Sequence, residues 1–382
     1  MKRLFPILLP CLLALLVSLP ARALVPEPPD LNVNSFVLFD FQSGQVIAEK
    51  NAHERVEPAS ITKIMTAFVA FDELQQGHVT MDDDVLISEK AWRTPGSRTF
   101  VEVGKKVGFR DLLHGSITQS GNDATVAIAE HIAGDESVFA QLMNQHAQQI
   151  GMKDTHFVNA TGLPDPEHYT TAYDIALLAR ALIQTYPERY KIFSEREFTF
   201  GHRGEITQRN RNLLLQMDST ADGIKTGHTE SAGYCLAGSA IRDGRRLISV
   251  VMGAGGPRQR AQDSKTLLDY GFRFFENVAL FGAEKPVSQI QVWQGAVSEV
   301  AVGVPAPIVL TVPRGEADKL TVTPHIEGRA IAPLAAGQQV GTVTLSINDQ
   351  TLRTLPLQTL QPVGEGSLLR RLIDAARLWL EG

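Results

Sequence analysis

Three short polar runs, each able to serve acyl transfer, stand in order along the chain. The first is Ser60-Ile61-Thr62-Lys63. On a helix, side chains three apart share a face and can touch. A serine hydroxyl attacks a carbonyl only when a neighbour takes its proton. Lysine can be that neighbour once burial or nearby positive charge depresses its pKa. Ile61, Ile64, Met65 and Phe68 offer the apolar setting this needs. Alone, the same four residues read equally as a helix-capping serine before a solvated lysine.

The second run is Ser120-Gly121-Asn122, between two helical stretches. Its hydroxyl could relay a proton to a departing amine, and its carboxamide could orient the lysine or a substrate carbonyl. A helix N-cap would use the same residues. The third is Lys225-Thr226-Gly227, followed by His228. An ammonium and a hydroxyl can hold a carboxylate, and glycine lets an extended substrate approach the backbone as if joining a sheet edge. An exposed turn is its bland alternative. The joint occurrence, in this order, is far more specific than any one run.

These residues need elements to position them. Ser35–Phe41 and Val46–Glu49 alternate as a hairpin around Ser43-Gly44. Apolar residues at helical spacing predict helices over Ser60–Leu74, Asp111–Ala133, Ser137–Ile150 and Thr171–Tyr186. Gly233–Ile241 and Arg246–Met252 read as strands, and Ala261–Asn277 as a last helix. Strands, then helices, then strands and a helix imply a sheet assembled from distant segments. Beyond Phe281, short Val- and Thr-rich runs (Gln289–Trp293, Glu299–Val304, Pro307–Val312, Lys319–Ile326 and Gln339–Ile347) predict a small all-β domain.

Both ends are distinctive. Met1–Ala23 has Lys2 and Arg3, an apolar run and an Ala21-Arg22-Ala23 cleavage pattern, the marks of a secretory signal peptide. Export follows as the expectation. In Gly366–Gly382, Leu368, Leu369, Leu372, Ile373, Ala376, Trp379 and Leu380 form one helical stripe, with arginines mostly opposite. The segment is too short and charged to span a bilayer but suits a membrane surface. Docking on its own domain is the alternative.

Composition narrows the rest. The chain has 382 residues, 43% hydrophobic and 20% charged, which fits two globular domains and excludes a disordered or fibrous chain. A formal charge of −6 argues against a nucleic-acid partner. Of two cysteines, Cys11 lies in the signal, so Cys235 has no internal disulfide partner and reads as a packed strand residue. The histidines lack ligand spacing, and no phosphate loop or dinucleotide fingerprint is present, so no metal or cofactor is expected.

The three runs together resemble the signature of penicillin-binding proteins and class A β-lactamases. The likeness extends through Pro58–Thr66, Ser120–Ala124, Phe157–Leu163, Gly223–Thr229, Ala232–Tyr234, Ser264-Lys265 and Gly271–Arg273. Over nearly all of Ser35–Gly382 the chain is similar to low-molecular-weight penicillin-binding proteins, the serine-type D-alanyl-D-alanine carboxypeptidases.

That resemblance implies a serine β-lactamase/transpeptidase-like α/β (α+β) domain over 24–281, after a signal at 1–23. An all-β domain over 282–365 and an amphipathic membrane-anchoring helix over 366–382 follow. It implies Ser60 as nucleophile, Lys63 as base, and Ser120 and Asn122 as assistants in proton transfer and placement. Lys225 and Thr226 would meet the substrate carboxylate, with Gly227 beside them and Arg260 as a further anchor. Backbone N–H groups of Ser60 and His228 would form an oxyanion hole. The implied substrate is a peptidoglycan stem peptide ending in D-Ala-D-Ala. β-Lactams would act as covalent inhibitors, and the site would face the periplasm. A β-lactamase or a non-catalytic wall-binding scaffold are the competing readings. For the first, Glu130, Glu136 and Glu167 lie in the right interval, but none sits in a recognisable deacylating context. An asparagine is expected where Cys235 stands.

Overall fold

The computed structural model describes residues 25–201, 205–281 and 285–381; the segment read as a signal peptide lies outside them. The first domain is built on a five-stranded antiparallel sheet. Its strands are β1 (Ser35–Asp40), β2 (Val46–Lys50), β3 (Ala221–Thr229), β4 (Gly233–Arg242) and β5 (Arg245–Ala254), in the order β2-β1-β5-β4-β3. The N-terminal hairpin thus pairs with a strand from the far end of the domain, Phe36 opposite Val251. The central strands carry nearly continuous apolar runs because both faces are covered.

Helices α1 (Lys63–Gln76), α2 (Asn122–Ala133), α3 (Glu136–Ile150) and α4 (Ala172–Thr185) share one core with a face of the sheet, while α5 (Pro257–Phe274) packs on the other. Helix α1 is apolar around most of its circumference, so it is the buried centre of this layer. Side chains cap the helices that the pattern predicts: Asp135 accepts from the Ser137 N–H at α3, and Thr171 from the Asp174 N–H at α4.

The expected last helix stops at Phe274. Residues Phe275–Leu280 form β6 instead, paired with β9 (Ile308–Pro313). Between and after them run β7 (Ser288–Trp293), β8 (Glu299–Gly303), β10 (Leu320–Ile326), β11 (Ala330–Ile331), β12 (Gln339–Ile347) and β13 (Gln350–Thr359). These make a six-stranded sheet in the order β10-β12-β13-β8-β7-β11. The two parts are stitched by polar contacts: Ser43 and Thr311 hydroxyls lie 2.6 Å apart, and the Thr311 N–H donates to the Gln45 amide oxygen at 2.7 Å. Helix α6 (Leu368–Glu381) ends the chain with an exposed apolar face. Among the described residues, no helix is long and apolar enough to cross a membrane.

Candidate active site

Ser60 sits on a single 3-10 turn, Ala59–Thr62, immediately before α1; the long helix read from Ser60 therefore begins one turn later. The turn is clamped from three sides. Thr62 Oγ1 donates to the Ala59 carbonyl at 2.8 Å. Gly162, with φ +81°, lies so close that a Cβ there would stand 1.8 Å from the Ala59 oxygen. Gly227 on β3 leaves only 3.0 Å between its would-be Cβ and the Pro58 oxygen. At Gly162 close approach and the left-handed backbone exclude a side chain, while at Gly227 a Cβ would fit only if its neighbours gave way by a few tenths of an ångström.

Lys63, on the first position of α1, is fully buried. Its Nζ lies 2.9 Å from Ser60 Oγ, 2.7 Å from Asn122 Oδ1 and 2.7 Å from the Thr161 carbonyl. The Asn122 amide is oriented by its Nδ2 donating to the Pro95 carbonyl, so Oδ1 must face the lysine. Burial, reinforced by the Arg211 guanidinium and partly opposed by Asp123 and Glu136, brings the Lys63 pKa down to about 7. The two carbonyl oxygens can only accept. A neutral amine would give its two N–H bonds to them, leaving its lone pair for the Ser60 hydroxyl.

The second run breaks the predicted Asp111–Ala133 helix. A wide π turn over Gly115–Gln119 ends at Ser120 in the left-handed region, φ 66°, and α2 restarts at Asn122. Ser120 Oγ is buried at the cavity wall without a hydrogen-bond partner. Asp123, fully buried, accepts the N–H groups of Thr99, Phe100 and Val101, which holds the neighbouring loop with Gly96 and Ser97 against the cavity.

The third run lies inside β3, the sheet's edge, rather than in a turn. Lys225 and Thr226 are buried, and burial beside Lys63, Arg211 and Arg260 holds the Lys225 amine well below its usual pKa. His228 stacks on Tyr234, ring centroids 4.0 Å apart. The Arg260 guanidinium lies over that same ring and donates to the Gly227 carbonyl at 2.8 Å. Burial lowers its pKa to about 10.

These residues enclose a cavity of about 690 Å³ that Ser60, Ser120, Asn122, Thr226, Gly227, His228 and Arg260 all line. Arg211 and Arg260 are its charged walls, and among the described residues no carboxylate side chain lines it, so it favours an anionic ligand. Among the described residues, no group of three His, Cys, Asp or Glu side chains could hold a metal ion. Cys235 is packed in the core with its thiol pushed up to about 11 by burial.

Several members of the site were not singled out from sequence. The Thr161 carbonyl and the Arg211 guanidinium carry no motif, since one is main chain and the other is placed by a loop. His168 is another. The Val158 N–H donates to its Nδ1, so the proton sits on Nε2, 2.9 Å from Thr62 Oγ1. Burial lowers its pKa to about 4, keeping the ring neutral.

An α/β domain holding this cavity at a sheet edge, joined to an all-β domain, defines a transpeptidase-like protein of penicillin-binding type. Residues 22–256 match the peptidase S11 D-alanyl-D-alanine carboxypeptidase family, and residues 275–365 match the C-terminal domain of penicillin-binding protein 5. The chain belongs to the peptidase S11 D-alanyl-D-alanine carboxypeptidase family. It is 39% identical to the D-alanyl-D-alanine carboxypeptidase DacA of Escherichia coli strain K12, over 94% of this chain and 90% of that one. Crystal structures of penicillin-binding protein 5 from Haemophilus influenzae superpose with a TM-score of 0.84 at 39% identity, covering 89% of this chain and all of theirs. Penicillin-binding protein D2 of Listeria monocytogenes, solved in its ampicillin-bound form, is 30% identical with a TM-score of 0.59, over 65% of this chain and all of that one.

Proposed function

We propose that this protein is a serine D,D-carboxypeptidase that removes the terminal D-alanine from peptidoglycan stem peptides through an ester on Ser60. The observation that carries the proposal is the buried Lys63 amine 2.9 Å from Ser60 Oγ, where burial brings its pKa down to about 7. Neutral Lys63 takes the hydroxyl proton as Ser60 attacks the carbonyl between the two D-alanines. Backbone N–H groups of Ser60 and His228 stabilise the oxyanion. Ser120, with its unpartnered hydroxyl, gives its proton to the departing amine and regains one from the Lys63 ammonium, which restores the neutral base. The peptide adds along the open edge of β3, its terminal carboxylate meeting Thr226, Lys225 and Arg260. Water then cleaves the ester.

β-Lactams mimic that carbonyl and acylate Ser60. Rapid release of such an adduct needs a carboxylate to activate water, and the three glutamates singled out above between the second and third runs are engaged elsewhere or exposed. Glu130 accepts from Ser88, Glu136 pairs with Lys90, and Glu167 lies in solvent. This supports carboxypeptidase over β-lactamase. Assay with a peptide ending in D-Ala-D-Ala should release one D-alanine, and a D-Ala-L-Ala end should be refused. Equal cleavage of both would overturn the proposal.

The enzyme works on the periplasmic side of the inner membrane, held there by the apolar face of α6. Leu368, Leu372, Trp379 and Leu380 are each about 70–80% exposed, a face suited to the lipid interface. Deleting 366–382 should release the protein from membranes and leave turnover of a soluble peptide unchanged. Continued attachment would refute the anchor.

A further inference from the structure

Helix α6 turns its polar side, not its apolar side, to its own domain. Among the described side chains of the helix Asp374 is the buried one, 8% exposed, and its carboxylate accepts the Gln294 N–H at 2.8 Å. One turn on, Arg329 donates to the Leu378 carbonyl at 3.1 Å. The entry to the helix is fixed as well: the Gly366 N–H donates to the Gln294 carbonyl, and the Ala296 N–H to the Gly364 carbonyl. Arg371 pairs with Glu365 at 2.6 Å.

A helix of this length is marginal in water by itself. A buried carboxylate is tolerated only with partners. Asp374 supplies both halves of an arrangement in which polar contacts hold the helix while six large apolar side chains point away. The elements that hold it carry apolar residues of their own. Val297, on the turn after Gln294, is 50% exposed, and Ile331, on β11 beside Trp293, is 45% exposed. Arg370, Arg371 and Arg377 lie off the apolar stripe, Arg370 3.9 Å from Asp374 and Arg371 paired with Glu365.

We propose that α6 and the adjoining β-domain edge form one rigid lipid-facing platform, latched by Asp374 and including Val297 and Ile331. The partner is a bilayer with anionic headgroups, matched by an apolar centre with an arginine border. Contact through such a platform fixes the tilt of the whole molecule on the membrane, where a loose helix would only tether it. This rests on the membrane reading above and extends it from a helix to a surface.

The test uses the full mature chain with spin labels at Glu327→Cys and Ala375→Cys. Buried Cys235 does not compete for label. Binding is read by sedimentation with phosphatidylethanolamine–phosphatidylglycerol vesicles. The parent should sediment with vesicles and show one narrow interlabel distance, free and bound. Asp374→Ala should still sediment but with a broad distance distribution, and Asp374→Asn, which keeps an acceptor oxygen, should remain narrow. Ile331→Asp should weaken vesicle binding roughly tenfold with the narrow distance intact, as loss of one apolar anchor predicts. A parent that sediments but shows a broad distribution overturns the latch, and Ile331→Asp binding at parental strength overturns the extended platform. A parent that fails to sediment, or that pairs with a second copy instead, overturns the membrane reading and this one with it.

Discussion

Replacing Asn122 by aspartate tests whether Lys63 acts as a neutral base. The substitution keeps an acceptor for Nζ, which lies 2.7 Å from Asn122 Oδ1, gives up the donor to the Pro95 carbonyl and adds a negative charge. At an effective dielectric of about 20, opposite unit charges at 2.7 Å attract by roughly 6 kcal/mol. Spreading the charge over two oxygens and admitting cavity water reduces this to roughly 3 kcal/mol, or about 2 pKa units. The Lys63 pKa then rises from about 7 to about 9. Because the neutral form is the reactive one, activity is present above the pKa and lost as pH falls through it. At pH 7 the neutral share drops from about half to about one in a hundred, slowing Ser60 acylation roughly fifty-fold. Stopped-flow measurement with a chromogenic cephalosporin from pH 6 to about pH 10 reads this directly. The parent rate should climb with a midpoint near 7 and the variant's near 9, the two converging at high pH. A rate lowered equally at every pH, or an unmoved midpoint, would refute the neutral-base argument.

Three further outcomes follow from the same geometry. Gly162→Ala places a methyl group against the Ala59 oxygen at a left-handed backbone, so it should lose more than about 2 kcal/mol in denaturant unfolding and most of its acylation rate. Arg260→Gln should raise KM for peptides with a free terminal carboxylate about tenfold or more, as loss of a charge-assisted contact predicts, and barely alter binding of the C-terminal amide. Ser120→Ala removes the unpartnered hydroxyl and should lower kcat about a hundredfold with little change in stability, checked by steady-state assay and thermal unfolding.

The parts that were legible in the sequence are those where side-chain pattern and burial agree. Helices α3 and α4 begin within one residue of their predicted starts because Asp135 and Thr171 cap them. Lys225-Thr226-Gly227 was harder to place, since two polar residues suggest a turn. They are buried in an edge strand because the cavity needs them there. Apolar spacing carried the last predicted helix past Phe274, where pairing with Ile308–Pro313, distant in sequence, turns the chain into a strand. The strand Gln350–Thr359 also escaped notice, its polar alternation being settled by pairing with β12. Within the site, spacing revealed the side chains that share a motif. It could not reveal the Thr161 carbonyl, Arg211 or the His168–Thr62 contact, which exist only once loops fold over the Ser60 turn.

The most direct measurement is an NMR titration of the Lys63 side chain in the free enzyme, with labelled lysine and Lys63→Arg to assign the signal. The Nζ resonance should titrate near pH 7. A midpoint close to 10, in an enzyme still acylated at neutral pH, would contradict the claim that this amine is what activates Ser60.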